Sequence, residues 1–245
     1  MKPFTRFAII LLAVSVTLLG SGCATQPAIT STTDLPTVVS VDTYHDPIIG
    51  VNRVLFSFND VVYRYAFIPI ANGYDWITPN AVQQRISHFF YNIKSPIYLV
   101  NNLAQGNIAK ATSNFLRFSI NSTLGILGLF DPAKAWWDID KQETYFESTL
   151  ATYGVGPGAY LVLPFLGPSD LRNGPSLVVD FALNPISYHP DTTERYAANS
   201  LDYINQQSKT GDKYLTLYEK SDDPYIFFRN LYLQGKLRDD QFAAD

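Results

Sequence analysis

Asp46-Pro47-Ile48-Ile49-Gly50-Val51-Asn52-Arg53-Val54-Leu55-Phe56-Ser57-Phe58-Asn59-Asp60-Val61-Val62-Tyr63-Arg64-Tyr65 is the stretch on which the fold turns. At 100° per residue, Arg53, Ser57, Asp60 and Arg64 fall at i, i+4, i+7 and i+11 and gather into a polar stripe about 60° wide. Val54, Leu55, Phe58, Val61, Val62 and Tyr65 fill most of the remaining circumference, with Phe56 and Tyr63 at its edge. A surface helix of a water-soluble domain needs an apolar face of only about 100°. An arc this broad belongs to a helix that is either buried in a core or partly immersed in lipid, its polar strip turned to water or to a channel. Phe56, Phe58, Asn59, Val62 and Tyr63 are therefore candidate membrane-facing or packing residues. Asn59 breaks the apolar arc, where an unpaired amide is costly. A hydrogen bond to a neighbouring helix is expected of it.

Downstream, helical segments follow one another between breakers. Pro79-Asn80 precedes a helix over 81–93, Ser95-Pro96 a second over 97–104, and Gly106 stops it. Asn107 caps a helix over 108–118, Asp191 or Thr192 caps one that runs to Ser208 with Glu194 in capping position, and Asp223-Pro224 opens a last one to Gln234. Between Leu124 and Pro175, glycines and prolines separate short apolar runs such as Tyr160 to Leu166, each far below the roughly twenty residues of a spanning helix. Strand-like alternation is nearly absent. The reading is all-α, a single domain of six to nine helices over residues 45–236, with Gly/Pro-rich loops and a C-terminal tail over 237–245.

The N-terminus carries a different message. Lys2 and Arg6 precede the apolar stretch Phe7 to Leu19, and small residues lead from it to Cys23, the sole cysteine of the 245 residues. This is the grammar of an export signal over residues 1–22. A cysteine directly after the cleavage position points to lipidation of Cys23, although Leu19 stands four residues before it where the lipobox has leucine at three; a signal anchor or plain secretion is the competing reading. Two or more acyl chains make such an anchor stable, whereas one holds only marginally. Residues 23–44, rich in Thr, Ser and Pro, read as a flexible tether reaching about 20–25 Å.

Composition narrows the function. Loss of Lys2 and Arg6 with the signal leaves an excess of six acidic residues, so no basic stripe is available for nucleic acid. With 16 Phe, 16 Tyr and 3 Trp, aromatics make up 14% of the chain, and charged residues only 16% against about 25% in ordinary domains. Tyrosine and tryptophan suit the headgroup level of a bilayer; a Tyr/Phe-rich core accounts for the load equally well. His45, His88 and His189 have no metal-ligand spacing, so neither a metal nor a cofactor is expected. Pro168 spoils the only approach to a nucleophile elbow, Gly167 to Leu171, and Gly154-Val155-Gly156-Pro157-Gly158 lacks the strand and the Lys-Ser/Thr of a phosphate loop. No enzymatic activity is expected.

Several motifs occur in order: Asp46 to Arg53 above, Val100-Asn101-Asn102-Leu103-Ala104-Gln105-Gly106, Arg117-Phe118-Ser119-Ile120-Asn121-Ser122-Thr123-Leu124-Gly125, Tyr153-Gly154-Val155-Gly156, Leu163-Pro164-Phe165-Leu166-Gly167-Pro168-Ser169 and Ser221-Asp222-Asp223-Pro224-Tyr225. Over residues 46–234 the chain resembles the MlaA/VacJ family of outer-membrane lipoproteins. The resemblance implies a ring of helices in the inner leaflet of the outer membrane, beside a trimeric porin, with an amphipathic channel. It also implies removal of misplaced phospholipids from the outer leaflet and their transfer to a periplasmic carrier protein. A lipoprotein that only scaffolds a porin or envelope complex is the alternative. The loop Ser169 to Gly174 matches a polar loop of the family and makes Asp170, Arg172 and Asn173 candidate channel residues, a solvated turn being the other reading. Two departures stand out. The family's Phe-Gly-x-Thr-Leu-Gly is here Phe146-Glu147-Ser148-Thr149-Leu150-Ala151, and Asn173 stands where the family often has aspartate.

Overall fold

The computed structural model describes residues 46–244; the export signal, Cys23 and the tether lie outside them. Ten α-helical segments follow in order: α1 Ile49–Val62, α2 Ile68–Ile77, α3 Asn80–Ala104, α4 Ile108–Thr123, α5 Pro132–Trp137, α6 Phe146–Thr152, α7 Asn173–Leu183, α8 Thr192–Gln207, α9 Gly211–Glu219 and α10 Pro224–Ala244. A π-helical turn, Tyr63–Phe67, joins α1 and α2 into one rod, which makes nine helical rods among the described residues. No helix among those residues is long and apolar enough to cross a membrane.

Several boundaries differ from the sequence expectation. Residues 80–104 form a single helix with Pro96 inside it. The proline withholds a main-chain donor from Asn92 O, four residues back. Packing of α3 along α4 overrides the local break. The final helix runs to Ala244, ten residues past Gln234. Asn107 and Asp191 cap as expected, through bonds to the main-chain N–H of Lys110 and of Thr193 and Glu194.

A β-hairpin was not expected. β1 Tyr160–Leu163 pairs antiparallel with β2 Gly167–Asp170, Tyr160 opposite Asp170 and Leu163 opposite Gly167. Tyr160 and Val162 point into the apolar core with Phe56, Tyr225 and Leu233. The open edge of β1 is closed by two asparagines of α1, seven residues apart. Asn52 donates to Tyr160 O at 3.1 Å and accepts from Val162 N–H at 2.9 Å; Asn59 donates to Leu163 O at 2.8 Å and accepts from Phe165 N–H at 2.7 Å. Each carboxamide imitates a neighbouring strand; Asn52 satisfies main-chain groups that would otherwise be buried unpaired, and Asn59 completes the pairing at the more exposed tip. Asn59 thus binds a hairpin, not a helix: an amide side chain offers the donor and acceptor pair that a strand edge lacks.

The distribution of polarity is inverted. Among the described residues, buried polar side chains outnumber buried apolar ones, and seven of them are asparagines: Asn52, Asn92, Asn101, Asn102, Asn114, Asn121 and Asn205. Large apolar side chains face outward instead. Val51, Val54, Phe58, Val61 and Tyr65 make one exposed row along α1 and the π turn, with Tyr65 79% exposed. Contiguous exposed apolar surface of this kind marks contact with a membrane or a protein. A second outward group, Leu124, Ile126, Leu127, Leu129 and Phe130, sits on the turn after α4. That turn depends on Gly128, which has φ +91° and whose added Cβ would lie 2.3 Å from Asn92 Cβ. Gly128→Ala is expected to lower stability by about 3 kcal/mol, combining backbone strain with a clash against a rigid helix. Thermal melting followed by circular dichroism measures it.

Candidate functional site: an amphipathic cavity and a buried polar hub

The polar stripe of α1 and the π turn meets protein at Arg53, Asp60 and Arg64, whereas Ser57 is exposed. Arg53 pairs with Asp223, its Nη2 at 2.6 Å from Oδ2, and Asp60 Oδ1 accepts from Arg64 Nε at 2.6 Å and from the Tyr214 hydroxyl at 2.7 Å. Burial and the Asp60 carboxylate both push the Tyr214 phenol up, so it remains a donor at any physiological pH.

Beside this stripe α1, the π turn, the hairpin tip, α8, α9 and α10 enclose a cavity of about 400 Å³. Phe56, Asn59, Val62 and Tyr63 line it, joined by Phe67, Phe165, Leu166, Tyr203, Tyr214 and Phe228. Its volume is that of a small-molecule site. The walls are aromatic: Tyr63 stacks on Phe67 with centroids 5.0 Å apart, meets Tyr214 edge-on at 4.6 Å, and Phe67 meets Tyr203 at 5.0 Å. Polar groups are set among these rings: Asn59 and Asp60 belong to the lining, Asp60 meets the Tyr214 hydroxyl, and Tyr63 Oη lies 3.0 Å from Thr210 Oγ1. A mainly aromatic chamber with polar side chains in its lining suits an amphiphile, whose chains and headgroup make opposite demands.

Four of the five residues singled out in the sequence of this rod, Phe56, Asn59, Val62 and Tyr63, therefore meet in one chamber. Phe58 does not: it lies outside, exposed, with its ring edge-on to Phe165 at 5.1 Å. Phe165, Tyr203, Tyr214 and Phe228 escaped the sequence reading because they come from distant segments, and a single chain carries no pairing signal for them.

Asp170, Arg172 and Asn173 stand elsewhere. They neither form a solvated turn nor line this cavity: Asp170 is 0% and Arg172 4% exposed. Asp170 Oδ1 accepts from the N–H of Arg172 and Asn173 at 2.8 and 2.7 Å, and its Oδ2 from the Tyr232 hydroxyl at 2.7 Å. Arg172 forks onto Asp240, with contacts of 2.7 and 3.0 Å, and reaches Glu147 Oε1 at 3.2 Å and Val155 O at 2.9 Å. Asn173 and Lys236 each lie 2.5 Å from Glu147. Burial alone would push the Glu147 carboxyl up, yet Lys236, Asn173 and Arg172 outweigh it and hold the carboxyl below its ordinary value. This hub ties β2, α6, α7 and α10 together. Glu147, Tyr232, Lys236 and Asp240 are the members the sequence reading missed, although the departure at Glu147 pointed to one of them.

Comparison with known proteins gives these sites a setting. The sequence model of the MlaA lipoprotein family matches residues 44–238. An uncharacterized protein of Rickettsia prowazekii strain Madrid E is 39% identical over 195 residues, covering 76% of this chain and 74% of that one. The intermembrane phospholipid transport system lipoprotein MlaA of Shigella flexneri is 33% identical over 192 residues, 77% of this chain and 76% of its own. Its namesake from Escherichia coli K12 is 31% identical over 194 residues, with 77% and 76% covered. A solved structure described under the words "Structural basis for maintenance of bacterial outer membrane lipid asymmetry" superimposes with a TM-score of 0.66 at 30% identity, covering 82% of this chain and all of that one. Family profile, sequence relatives and superposition agree: the chain belongs to the MlaA lipoprotein family.

Proposed function

We propose that this protein removes phospholipids from the outer leaflet of the outer membrane, draws them through an amphipathic passage and hands them to a soluble periplasmic carrier. In this reading acyl groups on Cys23 hold it in the periplasm-facing leaflet beside a trimeric porin, and the exposed rows of α1 and of the turn after α4 lie among lipid chains. The observation that carries the reading is the 400 Å³ chamber, lined by aromatic side chains together with Asn59 and Asp60, in a molecule that exposes rows of large apolar side chains and buries more polar than apolar ones among its described residues. Moving a charged headgroup through hydrocarbon costs several kcal/mol, and a route lined with hydroxyls and amides lowers that cost. Such traffic breaks no covalent bond, in keeping with relatives named as transport lipoproteins.

Filling the chamber tests the reading. Val62→Trp adds bulk at a partly buried wall position, and is expected to reduce transfer of labelled phospholipid to a carrier about tenfold and to let phospholipid accumulate in the outer leaflet. A lipoprotein that merely scaffolds a porin would not need the chamber. Wild-type lipid asymmetry in cells carrying a folded, membrane-localised Val62→Trp protein would therefore favour that alternative.

A further inference from the structure

A second cavity, of about 540 Å³, opens between α3 and the segment leading into α5, lined among others by Gln84, Arg85, His88, Phe130, Lys134 and Trp136. Its charges are unevenly spent. Asp131, the carboxylate on its wall, is fully engaged: Oδ2 with Arg117 at 2.7 Å, Oδ1 with Asn121 at 3.0 Å and with the Lys134 N–H at 3.2 Å. The Lys134 ammonium is occupied by Asp138 and Asp140 at 2.5 and 2.7 Å. Arg85, by contrast, has no carboxylate within 4.0 Å among the described residues; its guanidinium lies over the Phe130 ring at 4.4 Å. One turn along α3, His88 Nδ1 is shut away from solvent without a partner, leaving Nε2 as the ring nitrogen open to a ligand.

The rim completes the pattern. Leu124, Phe130 and Trp136 are exposed, Trp136 by 67%, and Trp137 follows it. Indole rings favour the level where headgroups meet chains. An unneutralised guanidinium presents a planar fork of N–H donors that matches phosphate oxygens, and an imidazole beside it supplies one further donor.

We propose that this cavity is an anion site that binds the phosphate of a phospholipid headgroup, with Arg85 gripping the phosphate, His88 Nε2 donating to it, and Phe130 and Trp136 against the apolar part of the same molecule. The site is separate from the chamber of α1 and does not depend on transport through it. Inorganic phosphate shares the recognised chemistry, so the test uses both.

Calorimetric titration of the full chain in detergent with short-chain phosphatidylglycerol is the experiment. Arg85→Gln is expected to weaken binding about tenfold or more, His88→Ala less, and Arg85→Lys to retain part of the affinity. Competition by millimolar inorganic phosphate with the same Arg85 dependence identifies the phosphate group alone as the ligand; lipid binding that phosphate does not displace identifies the headgroup together with its chains. Arg85 is only half-buried, so the fold survives its replacement, as melting curves would show. The proposal falls if folded Arg85→Gln and Arg85→Glu proteins bind the lipid as wild type does. It falls equally if Val62→Trp abolishes binding while Arg85→Gln leaves it intact, because the lipid then sits in the other cavity.

Discussion

Replacing Arg172 with methionine is expected to cost about 3–5 kcal/mol of stability, the range found when one member of a buried ion pair is removed and its partner left behind. Methionine keeps most of the volume, so the loss reports on charge. Without the guanidinium, Asp240 loses its fork of 2.7 and 3.0 Å, Glu147 keeps only Lys236 and Asn173, and Val155 O loses its donor. Arg172→Lys restores a charge without the planar fork and is expected to recover only part of the loss. The acidity of Glu147 fixes the sign of the pH dependence. Because the folded protein holds this carboxyl below its ordinary value of 4.5, its contribution is complete above that pH and fades as the pH falls through the folded value. The gap between wild type and Arg172→Met therefore narrows in acid, where protonated carboxyls no longer need a cation. Denaturant melts at pH 7 and pH 4 measure both effects, and a gap that widens in acid would contradict the arrangement.

Asn52→Leu is expected to be comparably severe. The leucine fills similar space but leaves Tyr160 O and Val162 N–H buried with no partner and removes a donor at 2.8 Å from Asp46 Oδ1. Each orphaned main-chain group costs about 1–3 kcal/mol, so a loss of about 3–5 kcal/mol follows. Asn59→Leu makes the same change at the hairpin tip, where Phe165 is exposed and water replaces the lost bonds; its effect is expected to be well under half as large. Hydrogen exchange separates this account from general loosening. The Val162 amide should lose its protection in Asn52→Leu, while amides in α3 and α4 keep theirs.

Helices were legible wherever periodicity and capping worked together, as at Asn107 and Asp191. They were misread where long-range packing overruled a local signal, as at Pro96. The hairpin was hidden because its first strand, Tyr160 to Leu163, is apolar throughout and its second, Gly167-Pro168-Ser169-Asp170, has almost no strand propensity. What makes that hairpin viable lies about a hundred residues away, in two asparagines that looked like interruptions of an apolar helix. The hub was half visible. Glu147 and Asn173 each appeared as a separate departure from the family pattern, and the structure puts them 2.5 Å apart. Proximity of that kind is invisible to one sequence, because it depends on how α6 meets the start of α7.

The π turn between α1 and α2 keeps the rod in phase. In an unbroken α-helix Ile68 would stand about 120° around the axis from Phe56, twelve residues earlier, facing away from the protein. The surplus residue taken up by Tyr63–Phe67 absorbs about 100° of that rotation, and both side chains are buried. Angular bookkeeping of this sort makes the length of the stretch between Val62 and Ile68 as much a determinant of the fold as its chemistry. Lineages that gain or drop a residue there must change the outward and inward faces of everything up to Ile77 in the same step.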